Sequence, residues 1–162
     1  MSLLATVRHS VVLPPRFGPR PRTLRALPHL QLDQWPPEDI TARLIESSLR
    51  LPNVRRRQSR MASPEVLALA LPDCEACGPP ESFIDGHEFC HLHPLPEGGV
   101  HLTLPDPLRD QVVELGWAEA HPAVKAGIMP MTLVMVYAPR DDGELRIVLH
   151  LVSESCQFAK GL

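Results

Sequence analysis

The sequence predicts an α+β domain: a mainly antiparallel sheet covered by about three helices, preceded by an irregular Pro/Arg-rich N-terminal arm. Three observations carry this prediction. Three segments repeat apolar residues at helical spacing between start and stop signals, while the segments between them alternate at the two-residue period of strands. Nineteen prolines in 162 residues argue against a helical bundle, because each removes a backbone donor and breaks a helix interior. Hydrophobic residues make up 44% of the chain but aromatics only 4%, so the core of this one-domain chain must be built from Leu, Val, Ile and Met.

Residues 1–32 form the arm. They carry Arg8, Arg16, Arg20, Arg22 and Arg25 with no acid, and no helical or strand period runs through "VVLPPRFGPRPRTLRALPHL". A mobile or loosely docked extension is expected there, with the folded domain occupying 33–162. The rest of the chain then holds 11 basic residues against 19 acidic ones, a formal −8, which offers nothing to a nucleic acid. No segment approaches the ~20 apolar residues of a membrane span, and "MSLLATVRHSVVLPP" lacks a charged start followed by an apolar run. A cytoplasmic location with reduced thiols is the expectation for Cys74, Cys77, Cys90 and Cys156.

The first helix spans 37–50. Pro36 and Pro37 suit its first turn, Glu38 and Asp39 suit the positive end of its dipole, and Ile40, Leu44, Ile45 and Leu49 share one face. "VRRRQSR" (54–60) reads as a charged edge strand, and 65–72 as a strand or short helix. The second helix spans 107–115, with Asp106 as its N-cap and Gly116 as its stop. "TLVMVYA" (132–138) is apolar on both faces, as a central strand would be. The third helix spans 142–159, with Asp141 and Glu144 spaced as a capping box.

Between these lies "HEFCHLHPLPEGGVHLTLP", which begins a run holding His87, His91, His93, His101 and His121, five of the eight histidines. Alternation puts Phe89, His91 and His93 on one side of a strand, with Cys90 and Leu92 on the other. "PLPEGG" supplies a turn, and pairing like with like sets His93 opposite His101, His91 opposite Thr103 and Leu92 opposite Leu102. Three imidazoles then share one face of a hairpin, toward a hollow closed by Trp117 and Arg140. The same set, His91, His93 and His101, is a candidate site for a Zn, Fe or Mn ion. His91-x-His93-x3-Glu97 has a metal-site spacing, although Glu97 sits in "PEGG", where a solvated turn acid is the ordinary reading. A Cys74, Cys77, Cys90, His93 zinc site has suitable spacing but needs Cys90 to turn to the other face. His87 reads as a turn residue and His150 as a satisfied helix residue.

"EFCHLHPLPEGGVHLTLP", "ELGWAEAHPAV" and "VMVYAPRDDGELRIVLHLV" taken together resemble the luciferase-domain family over residues 88–161. Residues 27–87 are more similar to its bacterial members than to its fungal ones. Ala120 stands where the family often has a basic residue. The resemblance implies an oxidoreductase, a luciferase-like oxygenase that binds a small acidic enol or pyrone. It would add O2 as co-substrate with no organic cofactor and lose carbon dioxide through a strained peroxide. On that reading His93 or His101 is the base, and Arg140 meets the developing anion. Glu88, His91, Trp117, His121 and Tyr137 orient or contact the substrate. The alternatives are a metal-dependent enzyme on the same histidines and a non-catalytic small-ligand module.

Overall fold

The computed structural model describes residues 12–162. Its helices are α1 (Glu38–Leu49), α2 (Leu108–Glu114), α3 (Pro122–Lys125) and α4 (Asp142–Lys160). Its strands are β1 (Arg55–Gln58), β2 (Leu67–Ala70), β3 (Glu88–Leu92), β4 (Val100–Thr103), β5 (Ala118–Ala120) and β6 (Leu133–Val136). They form one six-stranded sheet in the order β1-β2-β3-β4-β6-β5, antiparallel at every pairing, so the α+β class agrees with the sequence. β1 is an exposed edge, 65–72 resolves as a strand, and β6 is buried throughout. No helix among the described residues is long and apolar enough to cross a membrane.

One face of the sheet is the apolar core. Leu67 and Leu69, Cys90 and Leu92, Val100 and Leu102, and Val134 and Val136 meet Val148, Leu151, Val152 and Cys156 of α4. α1 packs on α4 in turn. Burying each such Leu or Val contributes about 1.5–3 kcal/mol, which anchors the sheet and frees its other face for polar groups. α4 starts as expected, with Asp141 accepting the Glu144 N–H at 2.8 Å. The capping box is only half formed, because the Glu144 carboxylate accepts the Arg140 N–H at 2.9 Å in place of the N–H of the N-cap Asp141. α2 departs from expectation: no side chain caps it, because the Asp106 carboxylate takes Arg109 at 2.9 Å instead.

The hairpin register differs from the sequence expectation by two residues. His91, not His93, opposes His101, and Cys90 opposes Leu102. The turn is shorter than "PLPEGG": it ends at Gly98, whose φ of +61° suits glycine, and Gly99 accepts the His93 N–H at 2.9 Å. A two-residue shift preserves parity, so the imidazoles stay on one face. Phe89 is a second correction. Between Leu69↔Cys90 and Ala70↔Glu88 the register slips, which makes Phe89 the extra residue of a bulge. It joins Cys90 in the apolar cluster, and Glu88 is turned to the histidine side.

Residues 1–11 of the arm lie outside the described residues. Residues 12–32 are docked rather than loose. Leu13 is buried, Trp117 Nε1 donates to the Pro14 carbonyl at 2.6 Å, Arg20 donates to the Ala118 carbonyl at 2.9 Å, and Ala138 N–H donates to Gln31 Oε1 at 2.9 Å. A Thr23↔Gln31 bridge folds the arm back on itself. Hydrogen bonds rather than an apolar period hold it, so hydrophobic patterning has no signal for it.

Gly78 sits where a Cβ would overlap the Phe158 and Ala159 carbonyl oxygens and Ser82 Oγ, at the end of α4. Gly78→Ala is expected to cost about 1–3 kcal/mol by overpacking, read as a lower urea-unfolding midpoint. An unchanged midpoint would contradict this packing.

Candidate functional site

On the face of the sheet opposite the core lies a cavity of about 660 Å3. Leu27, Leu30, Met61, Ile84, Ile128 and Leu133 contribute apolar wall, and His29, His91, His93, His101 and His121 line it together with Glu97. Each imidazole arrives from a different place in the fold. His91 is in β3 and His93 follows it, His101 is in β4, His121 precedes α3, and His29 comes from the folded-back arm. His101 is central, with ring centroids at 4.9 Å to His91, 4.7 Å to His93, 4.8 Å to His121 and 5.3 Å to His29.

Carboxylates behind the rings settle which nitrogen carries each proton. Glu88 Oε1 lies 2.7 Å from His91 Nδ1, and an ionised carboxylate only accepts, so that nitrogen is the donor. His91 Nε2 is then an acceptor, and His101 Nδ1 donates to it at 2.8 Å. His101 Nε2 is left with a lone pair, buried and without a partner. His93 Nδ1 donates to Glu97 Oε1 at 2.6 Å, leaving a buried, unpartnered His93 Nε2. His29 Nε2 donates to Glu119 Oε1 at 2.7 Å, leaving His29 Nδ1 in the same state. His121 is the exception: its Nδ1 accepts the Ala123 N–H at 3.2 Å, so its Nε2 bears the ring proton.

Burial keeps His91, His101 and His121 neutral. It pushes His101 well below the ordinary 6.5, helped by the surrounding imidazoles. It lowers His91 despite Glu88, and with His29, His91 and His93 it pushes His121 down to about 4. Burial pushes the Tyr137 hydroxyl up to about 12. Burial also raises Glu119, but hydrogen bonds from His29, Thr23 and Tyr137 outweigh it and hold this carboxyl below its ordinary value.

The structure brings His91, His93, His101 and His121 together. Glu88 stands behind His91, where it also accepts from Ser59 Oγ at 3.0 Å, and does not line the cavity. Tyr137 also acts from behind, its hydroxyl donating to Glu119 Oε2 at 2.9 Å. Trp117 and Arg140 are corrections, because they line a separate cleft with no residue in common with the histidine cavity. Arg140 is held there by Glu144 one helical turn on, by Gln34 Oε1 at 3.1 Å and by the Phe17 carbonyl at 2.8 Å. Glu97 is no solvated turn acid, since Gln31 N–H and His93 both bind it. His29 and Glu119 went unpredicted. Glu97 did carry a signal, its spacing from His93, whereas His29 sits in a Pro-rich arm with none. His87 faces Asp73 outside the cavity, and His150 lies 4.0 Å from Glu154. Cys90 is in the core while Cys74 and Cys77 are exposed, so the cysteine zinc site does not form among the described residues.

Residues 86–155 match the family model of the luciferase domain. The chain is 26% identical over 165 residues to the luciferase of Armillaria gallica, covering 90% of this chain and 60% of that protein. The luciferase of Armillaria mellea matches with the same identity and coverage. The luciferase of Neonothopanus nambi is 31% identical over 73 residues, 44% of this chain and 27% of that protein. The chain thus spans about 60% of the length of the Armillaria proteins. No solved structure matches it.

Histidines held neutral bind fewer protons than the unfolded chain does between their depressed pKa and the ordinary 6.5. Stability is therefore complete above about pH 6.5 and falls as the pH drops toward 4, by up to about 1.4 kcal/mol per pH unit for each such ring. Urea unfolding near pH 7.5 and near pH 5 checks this: the midpoint should be lower at the acid pH, and equal midpoints would contradict buried neutral rings.

Proposed function

Since residues 86–155 match the luciferase domain and 90% of the chain aligns with the Armillaria gallica luciferase, we propose that the histidine cavity binds a small, flat, acidic enol and oxygenates it with O2. No organic cofactor takes part in this scheme. The single supporting observation is the set of buried, unpartnered nitrogens of His29, His93 and His101, each backed by a carboxylate directly or through His91. A cavity of about 660 Å3 lies within the range of small-ligand sites.

The chemistry follows the family resemblance. One of these lone pairs takes the enol proton, and the carboxylate behind the ring stabilises the imidazolium that results. The enolate carbon gives its electron pair to O2, one electron at a time, forming a C–O bond and reducing O2 to a bound peroxide. The distal oxygen closes onto the adjacent lactone carbonyl and displaces the ring oxygen, which takes back the proton held by the imidazolium. The O–O bond and the C–C bond of the strained peroxide then break together, releasing carbon dioxide and leaving a carbonyl product. His121, with its ring proton on Nε2, is a donor to the ligand's anionic oxygen. The apolar wall excludes water from the peroxide and strengthens each of these contacts.

Protein without a His-tag, incubated with hydroxylated styryl-pyrones, should consume one O2 per ligand in an oxygen-electrode assay. His101→Ala should lower that rate by about 10²–10⁴-fold, and Arg140→Gln, remote from the cavity, should leave it near the starting value. Ligand binding with no O2 uptake would make this a binding module instead. Full activity in both His93→Ala and His101→Ala, with circular dichroism unchanged, would remove the site.

A further inference from the structure

We infer that His91, His93 and His101 hold one divalent transition-metal ion on the floor of the cavity, with a coordination position open to the bound ligand. This rests on the histidine cavity being the functional site, and adds a cation that the reading above does not require.

Four observations carry the inference. One ring nitrogen from each of the three buried histidines lies within 4.8 Å of the others. They sit on a rigid frame, because His91 and His101 are directly opposed on paired strands and His93 follows on the same face. Two of the three have the outer partner that metal-bound histidines almost always have: Glu88 takes the far N–H of His91, and Glu97 that of His93. No Lys or Arg lines the cavity among the described residues, although it contains a surplus of acceptor lone pairs. A single enol proton satisfies one of those lone pairs and leaves the others buried, at about 1–3 kcal/mol each. A cation held by the three rings takes the lone pair of His93 Nε2 and, by moving the His101 ring proton to Nε2, turns that orphaned acceptor into a donor facing the bound ligand.

His29, His101 and His121 form a second close triad. It is the poorer donor set, because His121 Nδ1 accepts the Ala123 N–H and its other nitrogen is protonated. In the first triad, His91 Nε2 and His101 Nδ1 stand 2.8 Å apart. Two imidazoles on one tetrahedral ion, each with a metal–nitrogen bond of about 2.0–2.1 Å, place their nitrogens about 3.3 Å apart. A small rotation of either ring supplies the difference. His101 Nδ1 then gives its lone pair to the ion, and its ring proton moves to Nε2, facing the cavity. An all-imidazole set suits zinc or ferrous iron, and three protein ligands leave room for a ligand oxygen.

The test uses the full chain without a His-tag, stripped with a chelator and titrated by calorimetry with Zn2+ and, for its visible spectrum, with Co2+. One equivalent should bind, with a cobalt spectrum of nitrogen ligation. His93→Ala and His101→Ala should each weaken binding by at least about 100-fold, and Glu97→Gln by about 10–100-fold through loss of its hold on His93. A Cys74→Ser, Cys77→Ser double variant should bind normally. No saturable binding, or binding indifferent to both histidine replacements, would overturn the site. The two proposals fail separately. O2 uptake at the full rate with no histidine-dependent ion binding removes the ion and leaves oxygenation standing; ion binding at these histidines with no O2 uptake does the reverse.

Discussion

The cavity depends on one contact, the 2.8 Å approach of His91 Nε2 to His101 Nδ1 across the β3–β4 pairing. Directly opposed residues on antiparallel strands are held about 4.5–5.5 Å apart at Cβ, so these rings cannot avoid each other. Their arrangement is then decided by what lies behind His91. The bulge at Phe89 answers that. Strict alternation would send Glu88 into the apolar core beside Cys90; the extra residue turns it to the other face, 2.7 Å from His91 Nδ1. One irregularity in one strand thereby fixes the tautomer of His91, and through it that of His101.

The remaining rings are held by the same logic from independent directions. Glu97 reaches His93 from the hairpin turn, and Glu119 reaches His29 from the edge strand β5 while Tyr137 holds its second oxygen. Aliphatic packing against α4 on the opposite face anchors the sheet and offsets the burial of so many polar groups. The result is a set of unpartnered ring nitrogens in a largely apolar hollow, the feature on which both the proposed deprotonation of an acidic ligand and the proposed cation site rest. The guanidinium of Arg140 takes no part, being committed to Glu144 and Gln34 across a different cleft.

Much of this was legible in the sequence where a period or a cap carried it. α1, α2 and α4 appear within a residue or two of their expected ends, and the shared face of His91, His93 and His101 survives a register error because that error was even. The error arose from placing both Gly98 and Gly99 in the turn, when Gly99 already belongs to the pairing. Short elements were invisible: three residues of β5 and four of α3 give no period. The arm was misjudged because its anchors are single hydrogen bonds between residues far apart in the chain, among them Trp117 to Pro14 and Ala138 to Gln31. His29 and Glu119 were missed for the same reason, as their pairing spans ninety residues.

The most direct test is the protonation of the rings themselves. Long-range proton–nitrogen NMR spectra of the chelator-stripped, nitrogen-15-labelled protein at neutral pH report which nitrogen of each histidine carries hydrogen. The relay from Glu88 through His91 predicts the proton on Nδ1 of His91 and of His101, while Glu97 places it on Nδ1 of His93 and Glu119 on Nε2 of His29. Rings averaging both tautomers, or a His91 or His101 that titrates near the ordinary 6.5 of a solvated imidazole, would contradict it.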